Sequence, residues 1–282
     1  MIVTTETGTP DATGAARTVA ASLDFPLGEV LRDITRGGLA GAIAGVVAGG
    51  IGGRVVMRLA AIVHPEVTGL LTENGNAIGD MTLGGTLFLL FFGLLFGLMA
   101  GGLWVIASPW IPGRTTTRAF LTAGVAILIG TPLVIIGGNP DFVILNHDAM
   151  VVGLLVALVG LIGLSIAFVD DWLERRLPHT ARGERGPTVV YSIVTLLGLV
   201  LVLPFLLLIF LTSDEYDLPL RAGLALLLVG ACTATWWGLR IRGRMSPPRS
   251  LIVAARGALF VAMVLGFLTT LPHVSRALGA PY

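Results

Sequence analysis

Seven apolar runs, each near or beyond the length a helix needs to cross a bilayer, divide this chain at residues 37–63, 82–106, 119–136, 149–169, 189–211, 220–239 and 251–271. A membrane helix takes about 20 predominantly apolar residues. Backbone groups in hydrocarbon must be satisfied within the spanning segment, and none of the runs alternates in polarity as a barrel strand does. The expected fold is therefore all-α, a polytopic transmembrane bundle of seven spans. Composition agrees. Charged residues make up 12% of the chain and mean hydropathy is +0.90, whereas a soluble domain carries about 25% charged residues to cover its surface.

Arginine distribution predicts the orientation. All 18 basic residues are arginine. With the N-terminus in the cytoplasm, the cytoplasmic segments hold Arg17, Arg32, Arg36, Arg114, Arg118, Arg175, Arg176, Arg182, Arg185, Arg240, Arg242, Arg244 and Arg249, and the other side only Arg221 and Arg276. By the positive-inside rule the C-terminus then lies outside. Trp104, Trp110, Trp172, Trp236 and Trp237 fall at predicted cytoplasmic ends, where amphipathic rings anchor. The loops assigned to the outside are acidic, with Glu66, Glu73, Asp80, Asp141, Asp148, Asp214, Glu215 and Asp217.

Before the first run there is no apolar core of a cleavable signal peptide. Residues 1–22, rich in Thr, Gly and Ala, are expected to be a disordered cytoplasmic tail. Residues 23–36 set Phe25, Leu27, Val30, Leu31 and Ile34 against Glu29, Arg32, Asp33 and Arg36, with Asp24 as N-cap. They read as an amphipathic interfacial helix, or as a lead-in to the first span. Residues 37–274 form the membrane domain and 275–282 a short outer tail.

Glycines recur every fourth residue in the first span (Gly37, Gly41, Gly45, Gly49, Gly53) and in the second (Gly93, Gly97, Gly101). Small residues at that spacing make a flat groove for close backbone approach. Packing of the first span on the second is expected, with a homo-oligomeric or partner contact as the alternative. Pro132 and Pro204 should bend the third and fifth spans.

Polar residues that could carry function collect at the outer end. Arg54 and Arg58, one helical turn apart, share a face near the outer edge of the first span. They are expected either to fork an anionic ligand or to pair with Glu73, Asp80, Asp141 or Asp148. The loop at 137–148 brackets the apolar run 142–145 with Asn139-Pro140-Asp141 and Asn146-His147-Asp148. The binding candidates are thus Arg54, Arg58, Asn139, Asp141, Asn146, His147 and Asp148. His64, His147 and His273 map to outer span ends, without the spacing of a metal motif.

Several classes are excluded or disfavoured by missing parts. Without lysine there is no Schiff-base chemistry, and the single Cys232 excludes an intrachain disulfide. No phosphate-cradling loop and no nucleophile–base pair is evident, so catalysis, cofactor and metal are not expected, and no basic tract suggests nucleic acid. The expected partner is the lipid bilayer of the cell membrane. The functional expectation is binding or transport of a small solute at an outward-facing polar site. The alternative is a non-catalytic accessory or assembly subunit packing through its glycines.

Overall fold

The structure is a computed structural model and describes residues 12–72, 75, 77–80, 82–136, 139–180, 185–211 and 220–279. It is all-helical. The first long helix comprises α1 (Ala12–Ala44), a π-helical stretch (Gly45–Ile51) and α2 (Gly52–Val63). There follow α3 (Leu83–Ala107), α4 (Thr115–Val134), a short α5 (Pro140–Ile144), α6 (Ala149–Glu174), α7 (Arg185–Leu211), α8 (Leu220–Ile241) and α9 (Arg249–Ala277). Among the described residues, seven helices are long and apolar enough to cross a membrane, the first of them covering Leu27–Val63.

Local chemistry explains the breaks. Thr82 caps α3 by accepting from the Gly85 N–H at 3.2 Å, and Asp148 caps α6 by accepting from Met150 at 2.5 Å. The chain turns after α3 through Pro109 and Pro112, and after α8 through Gly243 at φ +87°. Residues that donate no N–H or reach positive φ end helices in this way.

The structure bears on three expectations about the ends. Residues 23–36 follow the lead-in alternative and not a separate interfacial helix: they are part of α1, with Val30, Arg32 and Thr35 buried. Residues 12–22 are helical, and residues 1–11 lie outside the described residues. The expected outer tail begins later, since α9 continues to Ala277. Asp214, Glu215 and Asp217 also lie outside the described residues.

α1 is the hub of the bundle, packing on α3, α6 and α7, while α4 packs on α6 and α9, and α8 on α9. Its close approach to α3 uses the glycines. A β-carbon on Gly41 would stand 2.6 Å from the Gly101 Cα, and one on Gly45 2.5 Å from the Gly97 Cα. Both are inside van der Waals contact with backbone, so the chain's own α3 fills this groove. The four-residue repeat does not persist beyond Gly45. The π-helical stretch inserts an extra residue into the turn, so the next glycine facing α3 is Gly50, whose β-carbon would meet the Leu90 Cα at 3.1 Å. Gly49 is left in ordinary contact at 3.5 Å, and Gly53 meets nothing within 4 Å. The i+4 stripe therefore overstates the groove by those two residues.

Two of the tryptophans also depart from the anchor pattern. Trp104 and Trp110 are buried in the central cluster with Ala40, Ala44, Ile166 and Val229. Trp110 donates its indole N–H to Thr233 Oγ1 at 2.8 Å, which itself donates to the Ile106 carbonyl at 2.6 Å. Trp172 is exposed, with the Arg176 guanidinium 5.1 Å from its ring.

Candidate functional site

At the end carrying the acidic loops, the predicted binding residues are engaged largely by nearby backbone, although the Arg54 Nε is buried without an acceptor. Arg54 donates to the carbonyls of Asp80 at 3.3 Å and Thr82 at 3.4 Å, and Arg58 to that of Gly79 at 3.1 Å. Neither makes an ion pair among the described residues, which corrects the expected pairing with Asp80, Asp141 or Asp148; Glu73 lies outside them. The reason is the hairpin between α2 and α3. It folds back across the end of α2, turns carbonyls toward the guanidinium groups, and holds Gly79 at φ +82°. A β-carbon there would also meet Ala61 Cβ at 2.8 Å, so Gly79→Ala is strained twice over.

The loop before α6 is built in the same self-satisfied way. Asn139 caps α5 by accepting from Asp141 N–H at 2.7 Å. Asn146 and His147 take φ of 50° and 54°, and the His147 ring Nδ1 lies 3.0 Å from the Ala277 carbonyl, tying the loop to α9. Phe142 packs with Ile135, Val152 and Ala277, and Ile144 and Leu145 pack against Ala61, Val67 and Ile78. The apolar run is thus largely absorbed by protein.

His64 closes the end of α2 onto the start of α6. Its Nε2 is 2.5 Å from Asp148 Oδ2 and its Nδ1 3.0 Å from Glu66 Oε1. Asp148 first, then Glu66, raises the His64 pKa above its usual value. His64 lowers that of Asp148, helped by the Met150 N–H, while Glu66 is lowered mainly by its own backbone N–H. The raised histidine stabilises fully below its unfolded pKa of about 6.5, and that contribution is lost as pH rises through the higher folded value. The depressed carboxylates act above their unfolded range and lose their contribution as pH falls through their folded values. We expect the His64 ring signals to titrate above pH ~6.5 and to move down in Asp148→Asn. A wild-type midpoint at or below that value would contradict the clasp.

Among the described residues no three His, Cys, Asp or Glu side chains stand together as a metal site.

The opposite, arginine-rich end holds the densest polar cluster, which sequence reasoning does not single out as a site. Arg32, only 1% exposed, donates to the Glu174 carbonyl at 2.8 Å and the Leu177 carbonyl at 3.2 Å, and pairs with Glu174 at 3.2 Å. A cation over the terminal carbonyls of α6 complements the helix dipole. Arg36 donates from Nε to Asp170 Oδ1 at 2.6 Å and also contacts the Glu174 carboxylate; Arg240 donates to Asp33 at 2.7 Å. Glu29 accepts from the N–H and hydroxyl of Thr180 at 2.8 and 2.9 Å. The available signal is Glu29, Arg32, Asp33 and Arg36 at helical spacing, facing Asp170, Asp171 and Glu174. In sequence alone these residues look like loop and interface charge.

The Arg36–Asp170 and Arg240–Asp33 pairs border a cavity of about 170 Å³ lined by Arg36, Arg118, Asp170, Arg240, Trp104 and Trp236, among others. Arg118 is the least satisfied of its cations. Its guanidinium lies 4.6 Å from the Trp104 ring centroid and donates to the Ser108 carbonyl at 3.0 Å, with Asp171 at 4.0 Å. Its Nε is buried without an acceptor, as is the indole N–H of Trp104. Unmet buried donors are uncommon in native structures.

The fold and this geometry define a multi-pass helical membrane protein with a charged cavity at its arginine-rich end. No family model matches the chain, and no curated protein or solved structure is found to be similar to it.

Proposed function

We propose that this chain is a non-catalytic multi-pass protein of the cell membrane that binds a small solute, for recognition or transport, in the cavity at its arginine-rich end. We orient that end and the N-terminus toward the cytoplasm and the C-terminus outside, because arginine is concentrated in the loops of one side. The observation that carries the reading is the space of about 170 Å³ lined by Arg36, Arg118, Asp170 and Arg240 together with Trp104 and Trp236. Clefts with a few convergent polar groups are where ligands bind. The acidic-loop end is the weaker place for the site. Arg54, Arg58, Asn139, His147 and Asp148 are engaged there by nearby backbone or by His64, with the Arg54 Nε alone among these residues left buried without an acceptor.

A second reading, an accessory subunit assembling with another membrane protein or a second copy, is favoured by α7. That helix packs on α1 and α3 along one edge, with Phe205 set edge-on to Phe96 at 5.3 Å. It exposes Val190, Leu196, Val200 and Leu207 elsewhere. Lipid alone also suits such a surface.

Ser108 lines the cavity, so Ser108→Cys in a Cys232→Ala background tests its access. A membrane-impermeant thiol reagent should label it in inside-out vesicles and not in right-side-out ones. Labelling from neither side would mean a sealed structural cluster and end the binding reading. Labelling only from right-side-out vesicles would invert the orientation.

A further inference from the structure

We infer that Arg58, with Arg54 behind it, binds the phosphate of one anionic phospholipid in the leaflet at the acidic-loop end. This site is separate from the charged cavity. Arg54 reaches the carbonyl of Thr82, the N-cap of α3, so the two arginines stand level with the turn at which α3 enters the membrane. Arg58 lies one helical turn further out, about 8 Å of helix before α2 ends at Val63. Its side chain is exposed. It interrupts a line of exposed apolar residues, Val47, Ile51, Val55 and Ile62, that recur every three or four residues along the helix. A membrane helix turns such a face to lipid, and a cation set in it is costly unless it reaches the headgroups or an opposite charge.

Among the described residues the protein does not supply that charge. Arg58 gives one of its five N–H donors to the Gly79 carbonyl and makes no ion pair. Arg54 bonds the carbonyls of Asp80 and Thr82 and makes no ion pair either. Its Nε is buried, so Arg54 contributes charge and Arg58 the contact. The acids of this end are placed elsewhere. Glu66 and Asp148 are held by His64, and Asp80 is exposed and pairs with neither arginine. Carbonyls satisfy hydrogen bonds but leave both positive charges in place. The start of α3 adds to them. Thr82, Leu83 and Gly84 are exposed there, and a β-carbon on Gly84 would meet nothing within 4 Å. A phosphate oxygen can therefore approach the first amides of α3, the positive end of its dipole. Phosphate matches the forked donors of a guanidinium. Two arginines against Asp80 leave the place net positive, which selects an anionic phospholipid over a zwitterionic one whose own cation offsets the phosphate. Leu83, Leu87 and Phe91 expose a second apolar line on α3 for the acyl chains.

The test mixes the full chain in non-ionic detergent with equal amounts of phosphatidylglycerol and phosphatidylcholine and reads retained lipid by native mass spectrometry. Wild type should favour phosphatidylglycerol. Arg58→Gln should weaken its retention about five-fold, what one arginine near an anionic lipid surface is worth, and Arg58→Glu should weaken it further. Arg58→Gln removes a single hydrogen bond within the protein, so its lipid-free melting temperature should match wild type. Arg242→Gln, at an exposed arginine of the opposite end, should have the smaller effect. Inorganic phosphate in large excess should leave the lipid bound. Wild-type retention in both Arg58→Gln and Arg58→Glu would overturn the inference, as would a larger loss in Arg242→Gln than in Arg58→Gln. Phosphatidylcholine retained as well as phosphatidylglycerol would overturn the selection of an anionic lipid. Displacement by inorganic phosphate would overturn the lipid assignment and make this a site for free anions.

Discussion

Gly45→Leu should destabilise the protein by about 3 kcal/mol, the upper range for overpacking, because the clash is with backbone and not with a side chain that can rotate. The β-carbon alone would sit 2.5 Å from the Gly97 Cα and closer still to the Gly93 carbonyl. The only relief is separation of α1 from α3, and these two helices support the π-helical turn and the packing of α7. Gly53→Leu, with nothing within 4 Å of its β-carbon, should change stability by no more than ~0.5 kcal/mol. The π-helical register adds a finer comparison. Gly50→Ala should cost more than Gly49→Ala, since only the former meets the Leu90 Cα inside ordinary contact. Unfolding curves in mixed detergent and denaturant measure all four. Equal stability of Gly45→Leu and wild type would show that the α1–α3 contact is not the close backbone packing described.

The second large effect belongs to Asp170. It is 2% exposed and accepts from Arg36 Nε at 2.6 Å. Asp170→Ala removes the acid and leaves a guanidinium 14% exposed with Asp33 and Glu174 as remaining partners. Breaking a buried pair from one side costs about 3–5 kcal/mol, and the remaining carboxylates place this case at the lower end, about 3 kcal/mol. Replacing both members, Asp170→Leu with Arg36→Met, should recover much of the loss, because no uncompensated charge is left behind. The same unfolding measurement decides. A double variant no better than Asp170→Ala would show that the pair contributes through something other than charge burial.

How much of this is legible in the sequence depends on the range of the interaction. Span number follows from run length, a property each segment carries by itself. Gly41, Gly45, Gly93, Gly97 and Gly101 are legible as a groove because their spacing is regular on a single helix. Gly49 and Gly53 are misplaced because the repeat assumes an unbroken 3.6-residue period, and the π-helical turn at Gly45–Ile51 rotates every later residue of the helix out of that register. The arginine-rich site escapes sequence reasoning for a different reason. Arg36 and Asp170 are 134 positions apart, and Asp33 and Arg240 are 207. No local pattern encodes such pairings, so the arginines speak only to topology and the acids look like loop charge. At the acidic-loop end the sequence marks Arg54 and Arg58 as a pair on one face, but their partners are hairpin carbonyls, which every residue carries. Arg54 and Arg58 therefore look wholly free for a ligand until the fold of the hairpin is known.

The central claim is a seven-span bundle whose arginine-rich end, with its cavity, faces the cytoplasm. The most direct measurement is a pair of reporter fusions of opposite compartment dependence, placed after Tyr282 and between Arg175 and Arg176, on the short connection after α6. The fusion after Tyr282 should report the outer side and the one at Arg175–Arg176 the cytoplasm. Both fusions reporting the same side would contradict the seven-span bundle in this orientation.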